Sequence, residues 1–188
     1  IIDKKKNFFS IKLLSANKNF HLIDKQIKKY NPNYFIISDK KTFEKIKKKY
    51  INKNIKILNN FKFLKIKKKN HTTISAIPGI VGLDPTLIMI KLSDKVLLAN
   101  KESIICGWNL IKNYSLKNRT EIIPIDSEHF SILQLLKNHK KEDIKKIYIT
   151  ASGGPFLNLK KNKFKNISPK DAIKHPKWKM GKKISIDS

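Results

Sequence analysis

Cysteine, arginine and acidic residues are scarce in this chain, and long apolar runs are missing. The single cysteine, Cys106, excludes an internal disulfide framework and any cysteine-based zinc site, and is expected to serve packing. No stretch reaches the roughly 18 consecutive apolar residues of a membrane-spanning helix. The opening IIDKKKNFFSIKLL lacks the basic, apolar, small-residue order of a signal peptide, so a soluble protein of cytoplasmic type is expected. Only 14 Asp and Glu stand against 42 Lys and Arg, a formal net charge of +28. A surplus of that size suggests nucleic acid or an anionic surface as partner. The scarcity of arginine argues the other way: Arg119 is alone, and the guanidinium fork is what reads guanine and clasps phosphate at two points. Lysine, asparagine and isoleucine abound together, the trio that AT-rich codons favour. The charge therefore reads as lysine spread over solvated faces such as 47–49 and 67–69. A lysine-rich nucleic-acid-binding domain is the alternative reading; neither nucleic acid nor membrane is expected as partner.

What the chain does contain is a regular alternation. Its 188 residues suffice for one ordinary domain, or one and part of another, and an apolar content of 40% supports a core. Short β-type runs at 10–14, 34–37, 55–58, 72–77 and 95–99 alternate with helix-length stretches at 20–29 and 42–50. The helical stretches carry Leu22, Ile23, Ile27 and Tyr30, then Phe43, Ile46 and Tyr50, at helical spacing. Asp84-Pro85 pairs an N-cap with proline at the first helical position and predicts a helix to about Ile90. Such βα units build a doubly wound α/β sheet of parallel strands. Beyond a loop at 113–120 the texture changes: 121–125 and 146–150 read as strands, and Gly153, Gly154, Pro155, Pro169 and Pro176 interrupt the remainder of the chain. A domain boundary is placed near residue 118.

Four stretches carry candidate chemistry. PIDSEH, 124–129, sets Asp126 and Glu128 two apart in an acid-poor chain. Were the strand to continue through Ser127, period two would put both carboxylates on one side, where a hard divalent cation such as Mg²⁺ or Mn²⁺ would neutralise them. The alternative is that Asp126 or Ser127 caps a helix with Glu128 in its first turn. TASGGPF, 150–156, either presents backbone amides and Ser152 at the end of a strand, where α/β proteins hold anions, or is a plain turn. NKES, 100–103, follows a strand and opens a helix, with Asn100 facing the crevice or simply capping. HPKWKMGKK, 175–183, sets Trp178 and Met180 between Pro176 and Gly181, which suits a loop that covers a ligand or a tether to the core.

Taken in order, ANKES, PIDSEH, SGGPF and HPKWKMGKKISIDS, with IPGIVGLDPTL ahead of them, resemble the 1-deoxy-D-xylulose 5-phosphate reductoisomerase family, NADPH-dependent enzymes of the non-mevalonate isoprenoid pathway. The resemblance runs from about Phe9 to the last residue. It implies a Rossmann-like parallel sheet at 1–118 that binds NADPH and lacks its first βα unit, followed at 119–188 by the start of an α/β catalytic domain for metal and substrate. The implied reaction is isomerisation and reduction of 1-deoxy-D-xylulose 5-phosphate to 2-C-methyl-D-erythritol 4-phosphate with Mn²⁺ or Mg²⁺, by a homodimer at full length.

Carried over residue by residue, the resemblance makes Asp126 and Glu128 metal ligands, with the ion acting as Lewis acid on the substrate carbonyl. Lys101 and Ser127 become substrate neighbours alongside Glu128; Ser152, His175 and Ser188 become ligands of the substrate phosphate; Trp178 and Met180 become the lid. Asn17, Lys18 and Asn19 would lie by the adenosine 2′-phosphate, Asn100 and Glu102 by the nicotinamide, and Gly181 against NADPH. The family's Gly-rich loop would precede Ile1. A segment of ATMMNKGLE type, with an Asn, a Lys and a third carboxylate, would follow Ser188. The chain alone is accordingly expected to be an internal fragment without activity.

Overall fold

The computed structural model describes residues 2–4, 6–67, 71–150, 153–176, 185 and 186. Strand β1 (Leu13–Ala16), helix α1 (Phe20–Tyr30), β2 (Tyr34–Ile37), α2 (Lys40–Lys49) and β3 (Lys56–Leu58) form a run of βα units whose strands pair in parallel in the order β1-β2-β3. A second run comprises β4 (Thr72–Ser75), α3 (Leu83–Leu92), β5 (Lys95–Leu98), α4 (Lys101–Asn118) and β6 (Glu121–Pro124), again parallel, in the order β4-β5-β6. Helices α5 (Ser127–Leu136) and α6 (Pro169–Ala172) follow. The expected α/β architecture is present, as two three-stranded sheets and not one continuous sheet, since no ladder joins the two triplets among the described residues.

Local signals explain the helices. Asn19 caps α1 by accepting the Leu22 amide at 3.0 Å, and Asn31 ends it at φ 43°, a left-handed conformation that asparagine tolerates. Asp39 caps α2 by accepting the Thr42 amide at 2.8 Å. Ile23 and Ile27, one turn apart, and Ile46 and Tyr50, likewise, bury the inner faces of these helices against Phe35, Ile37 and Ile57 of the first sheet. Each such apolar side chain contributes about 1.5–3 kcal/mol on burial. A second core joins Ile90 and Ile111 of the flanking helices to Val96 and Leu98 of β5.

Several expectations are corrected. Strand β1 is Leu13–Ala16 and not 10–14, because the parallel partner Tyr34–Ile37 selects that register. Helix α3 begins at Leu83, running directly out of a 3-10 turn at Ile80–Gly82, so Asp84 lies in the first turn and caps nothing. The expected loop at 113–120 is largely helical: α4 continues to Asn118 and stops at Arg119, whose φ is 50°. Residues 146–150 form no strand; no partner pairs with them among the described residues, and Ile147, Tyr148 and Ile149 are exposed. Cys106 is exposed and not packed, and Leu22 faces outward. The chain divides into two compact units, 1–133 and 134–188. The functional boundary expected near 118 is a separate division from these units and lies at the turn between α4 and β6.

Candidate functional site

Strands β5 and β6 run parallel with Leu98 opposite Pro124, and the Ile125 amide continues the ladder to the Leu98 carbonyl at 3.0 Å. The chain thus leaves both strands side by side, with Asn100 and Asp126 as the next polar residues of the two exits. The carboxyl ends of parallel strands are where α/β folds hold ligands. Asn100 accepts the Ser103 amide at 2.9 Å and opens α4 at Lys101; Asp126 accepts the His129 amide at 3.0 Å and opens α5 at Ser127.

The strand therefore ends before Asp126, and the period-two argument for its pairing with Glu128 does not hold. A helix start brings the groups together instead. Lys101 Nζ lies 3.6 Å from Glu128 Oε2, and the Ser127 hydroxyl donates to the same oxygen at 3.3 Å. His129 Nδ1 lies 2.8 Å from Asp126 Oδ1.

Asp126 is the buried member, its side chain only 7% exposed, and its Oδ2 is buried with no hydrogen-bond partner. Burial alone would push this carboxyl up, but the amide and imidazole of His129, with a smaller effect of Glu128, outweigh it and hold the group below the ordinary carboxylate range. An ionised carboxylate with an unsatisfied buried oxygen is costly unless a cation completes it. Two carboxylates and hydroxyl oxygen suit a hard divalent ion, so these residues fit part of such a site. Among the described residues, no group of three or more His, Cys, Asp and Glu gathers to make a whole one.

At the matching ends of the first sheet, Asn17, Lys18 and Asn19 bridge β1 and α1. Asn17 accepts the Ser38 hydroxyl at 3.2 Å, and the Lys18 carbonyl accepts the Thr42 hydroxyl at 3.3 Å. The loop is thereby pinned to the exit of β2 while the Lys18 side chain stays exposed. Ser38 and Thr42 were missed in the sequence; the signal was that 38–42 follows β2 as 17–19 follows β1, with Ala16 and Ile37 in register.

The remaining candidates divide. Glu102 lies in the first turn of α4, half-buried. Asn100 is 3% exposed, with its side chain turned into the protein. His175 is half-buried in the second unit, and Gly153 and Gly154 make a turn at φ 82° and 59°. Ser152, Trp178, Met180, Gly181 and Ser188 lie outside the described residues.

Comparison with known proteins gives consistent matches. Residues 1–107 match the family model described as 1-deoxy-D-xylulose 5-phosphate reductoisomerase, and residues 122–188 match the model of that enzyme's C-terminal domain. The chain is 51% identical to the 1-deoxy-D-xylulose 5-phosphate reductoisomerase of Pelagibacter ubique, all of the chain aligning with 49% of that protein. It is 42% identical to the enzyme of the same name from Clostridium novyi, over all of the chain and 50% of that protein. Among solved structures it is similar to a DOX-P reductoisomerase in complex with NADPH, fosmidomycin and magnesium, at a TM-score of 0.82 and 30% identity over all of the chain and 49% of that one. The Zymomonas mobilis enzyme in complex with NADPH superposes at 0.83 with 28% identity, covering 93% of this chain and 47% of that one. The chain spans about half the length of the curated relatives it matches.

Proposed function

Because the chain belongs to the 1-deoxy-D-xylulose 5-phosphate reductoisomerase family, we propose that its full-length protein isomerises 1-deoxy-D-xylulose 5-phosphate and reduces the product with NADPH to 2-C-methyl-D-erythritol 4-phosphate. The observation that carries this reading is the convergence of Lys101, Asp126, Ser127 and Glu128 at adjacent strand exits, with an orphaned carboxylate oxygen among them. Asp126 and Glu128 would hold Mn²⁺ or Mg²⁺, which when bound supplies Lewis acidity to the substrate's oxygens. Lys101 lends its positive charge beside the same oxygens and orients Glu128. The Ser127 hydroxyl is free to turn from Glu128 to a substrate oxygen.

NADPH supplies the hydride, and the pinned loop 17–19 would meet its adenosine end. Lys18 presents there the charge that a 2′-phosphate requires. In this division of labour 1–118 serves the nucleotide and 119–188 the metal and substrate, with Ser152, His175 and Ser188 on the phosphate, Trp178 and Met180 as the lid, and Glu102 and Gly181 on the cofactor. The working form is a homodimer in the cytoplasm; among the described residues no helix is long and apolar enough to cross a membrane.

The test is NADPH oxidation by the full-length protein with 1-deoxy-D-xylulose 5-phosphate and Mn²⁺. Turnover that is abolished by chelation and restored by Mn²⁺ is expected. A folded full-length protein that leaves NADPH untouched would refute the proposal.

A further inference from the structure

Asn100 stands where the resemblance implies a contact with the nicotinamide, yet its side chain is fully employed elsewhere. Its Nδ2 donates to the carbonyls of Ile77 and Gly79, the latter at 2.9 Å, and its Oδ1 accepts the Ser103 amide at 2.9 Å. Those three partners use both donors of the amide group and an acceptor lone pair of its oxygen, and only one orientation of the amide satisfies them. At 3% exposure there is no face left for a ligand. The carbonyls belong to the turn that follows β4, while the amide belongs to α4, which follows β5. The next residue along, Lys101, reaches Glu128 after β6 at 3.6 Å.

The turn is shaped for this contact. Gly79 sits at φ 78°, open to glycine and strained for other residues, and aims its carbonyl at Asn100. At Gly82 an added Cβ would lie 2.2 Å from Asn100 Nδ2 and 2.5 Å from the Ile77 carbonyl oxygen. The absence of a side chain at position 82 is what leaves room for the amide.

We infer that Asn100 is a positioning residue and not a cofactor ligand through its side chain: the buried amide latches the Ile77–Gly82 turn to the start of α4, and the latch sets Lys101 against Glu128. Three consecutive strand exits are thereby joined into one platform, β4 through the turn, β5 through Asn100 and Lys101, and β6 through Glu128. The inference rests on the proposed function for the meaning of Lys101, but not for the latch itself.

Two substitutions in the full-length protein test it. Asn100→Asp keeps the acceptor for Ser103 and replaces both donors with an oxygen facing two carbonyls. Gly82→Ala attacks the same contact from the turn, crowding the Asn100 amide while leaving residue 100 and every group at the site unsubstituted. Each is expected to lower kcat at saturating NADPH by about 10- to 100-fold, the scale of a small misplacement of a reacting group, while the Kd for NADPH from fluorescence titration stays within about twofold. The double variant should cost little more than either single one. If Asn100→Asp does not fold, Gly82→Ala decides alone. A kcat reduced less than about tenfold, an NADPH Kd raised by about tenfold, or failure of both variants to fold at 25 °C overturns the latch. Amide hydrogen exchange of peptides over 77–82 and 101–104 gives a readout without turnover: both should quicken together in either variant, and unchanged exchange counts against the coupling. Absence of turnover in the unaltered full-length protein sinks the reductoisomerase reading, and the exchange result then still judges the latch.

Discussion

Lys101 Nζ and Glu128 Oε2 stand 3.6 Å apart although they open two different helices, and both side chains remain about half exposed, at 51% and 42%. An ion pair so open to water is worth roughly 0–1 kcal/mol, so it does not hold the fold together. Its value is positional: it fixes where a cation and an anion meet beside Asp126. Lys101→Met in the full-length protein should leave the denaturation midpoint nearly unchanged while kcat/KM falls by about a hundredfold or more, as when a charge aimed at the reacting centre is removed. Equal losses of stability and turnover would mark the pair as structural.

Asp126 separates two functions on one carboxylate. Its Oδ1 caps α5 through the His129 amide, and its Oδ2 is buried without a partner. Asp126→Asn retains an oxygen for the cap and removes the charge, so the helix should survive. Mn²⁺ affinity, read by electron paramagnetic resonance of the free ion, should weaken by about tenfold or more, since carboxylate charge dominates binding of hard cations. Unaltered Mn²⁺ binding would remove Asp126 from the metal site.

The sequence disclosed what depends on local chemistry. Tyr34–Ile37 was legible to the residue because a short apolar run bounded by Pro32-Asn33 and Ser38-Asp39 leaves one choice. The cap at Asn100 matched its side-chain chemistry. What depended on partners was not legible. Leu13–Ala16 takes its limits from its neighbour's register, and Ile147, Tyr148 and Ile149 have strand composition but no strand beside them among the described residues. At the site, the spacing of Asp126 and Glu128 in an acid-poor chain left two geometries open, one face of a strand or a helix start, and the structure has the helix start. The ladder runs on to the Ile125 amide, and Asp126, Ser127 and Glu128 then read as a helix start. His129, Ser38 and Thr42 escaped notice because their roles are to hold other residues, and such roles leave no spacing signature.

The charge of +28 is expected to be largely passive. Lys47, Lys48 and Lys49 lie exposed in the last turn of α2, where cations favour the helix dipole. Binding to a random DNA duplex, followed by fluorescence anisotropy, should be weak and should fade steeply between about 0.05 and 0.2 M salt, as for contacts made to phosphates alone. A sequence-selective complex persisting at about 0.2 M salt would restore the nucleic-acid reading.

The sharpest stability prediction concerns Asp24, which joins α1 to α2. Tyr50 donates its hydroxyl to Asp24 at 2.7 Å, and the ammonium groups of Lys49 and Lys28 lie 2.7 and 3.0 Å away. Hydrogen bonding from Lys49 is the largest influence; burial opposes it, Tyr50 and Lys28 reinforce it, and together they hold the carboxyl well below the ordinary carboxylate range. Burial first, then the bond to Asp24, pushes the Tyr50 hydroxyl up to about 12. A depressed carboxyl contributes stability that is complete above its unfolded value of about 4 and is lost as pH falls through the folded value. A raised phenol contributes stability that is complete below its unfolded value of about 10, lost as pH rises through about 12. At neutral pH, Asp24→Asn should cost on the order of 1 kcal/mol, a charge-assisted contact discounted for its partial access to water. In urea denaturation series that deficit should shrink steadily below about pH 4, as wild type loses the same charge; the deficit of Tyr50→Phe should shrink there by the smaller part owed to its bond to the carboxylate, and should narrow again above about pH 10. A deficit of Asp24→Asn that stays constant into acid would show that shape and not charge joins the two helices.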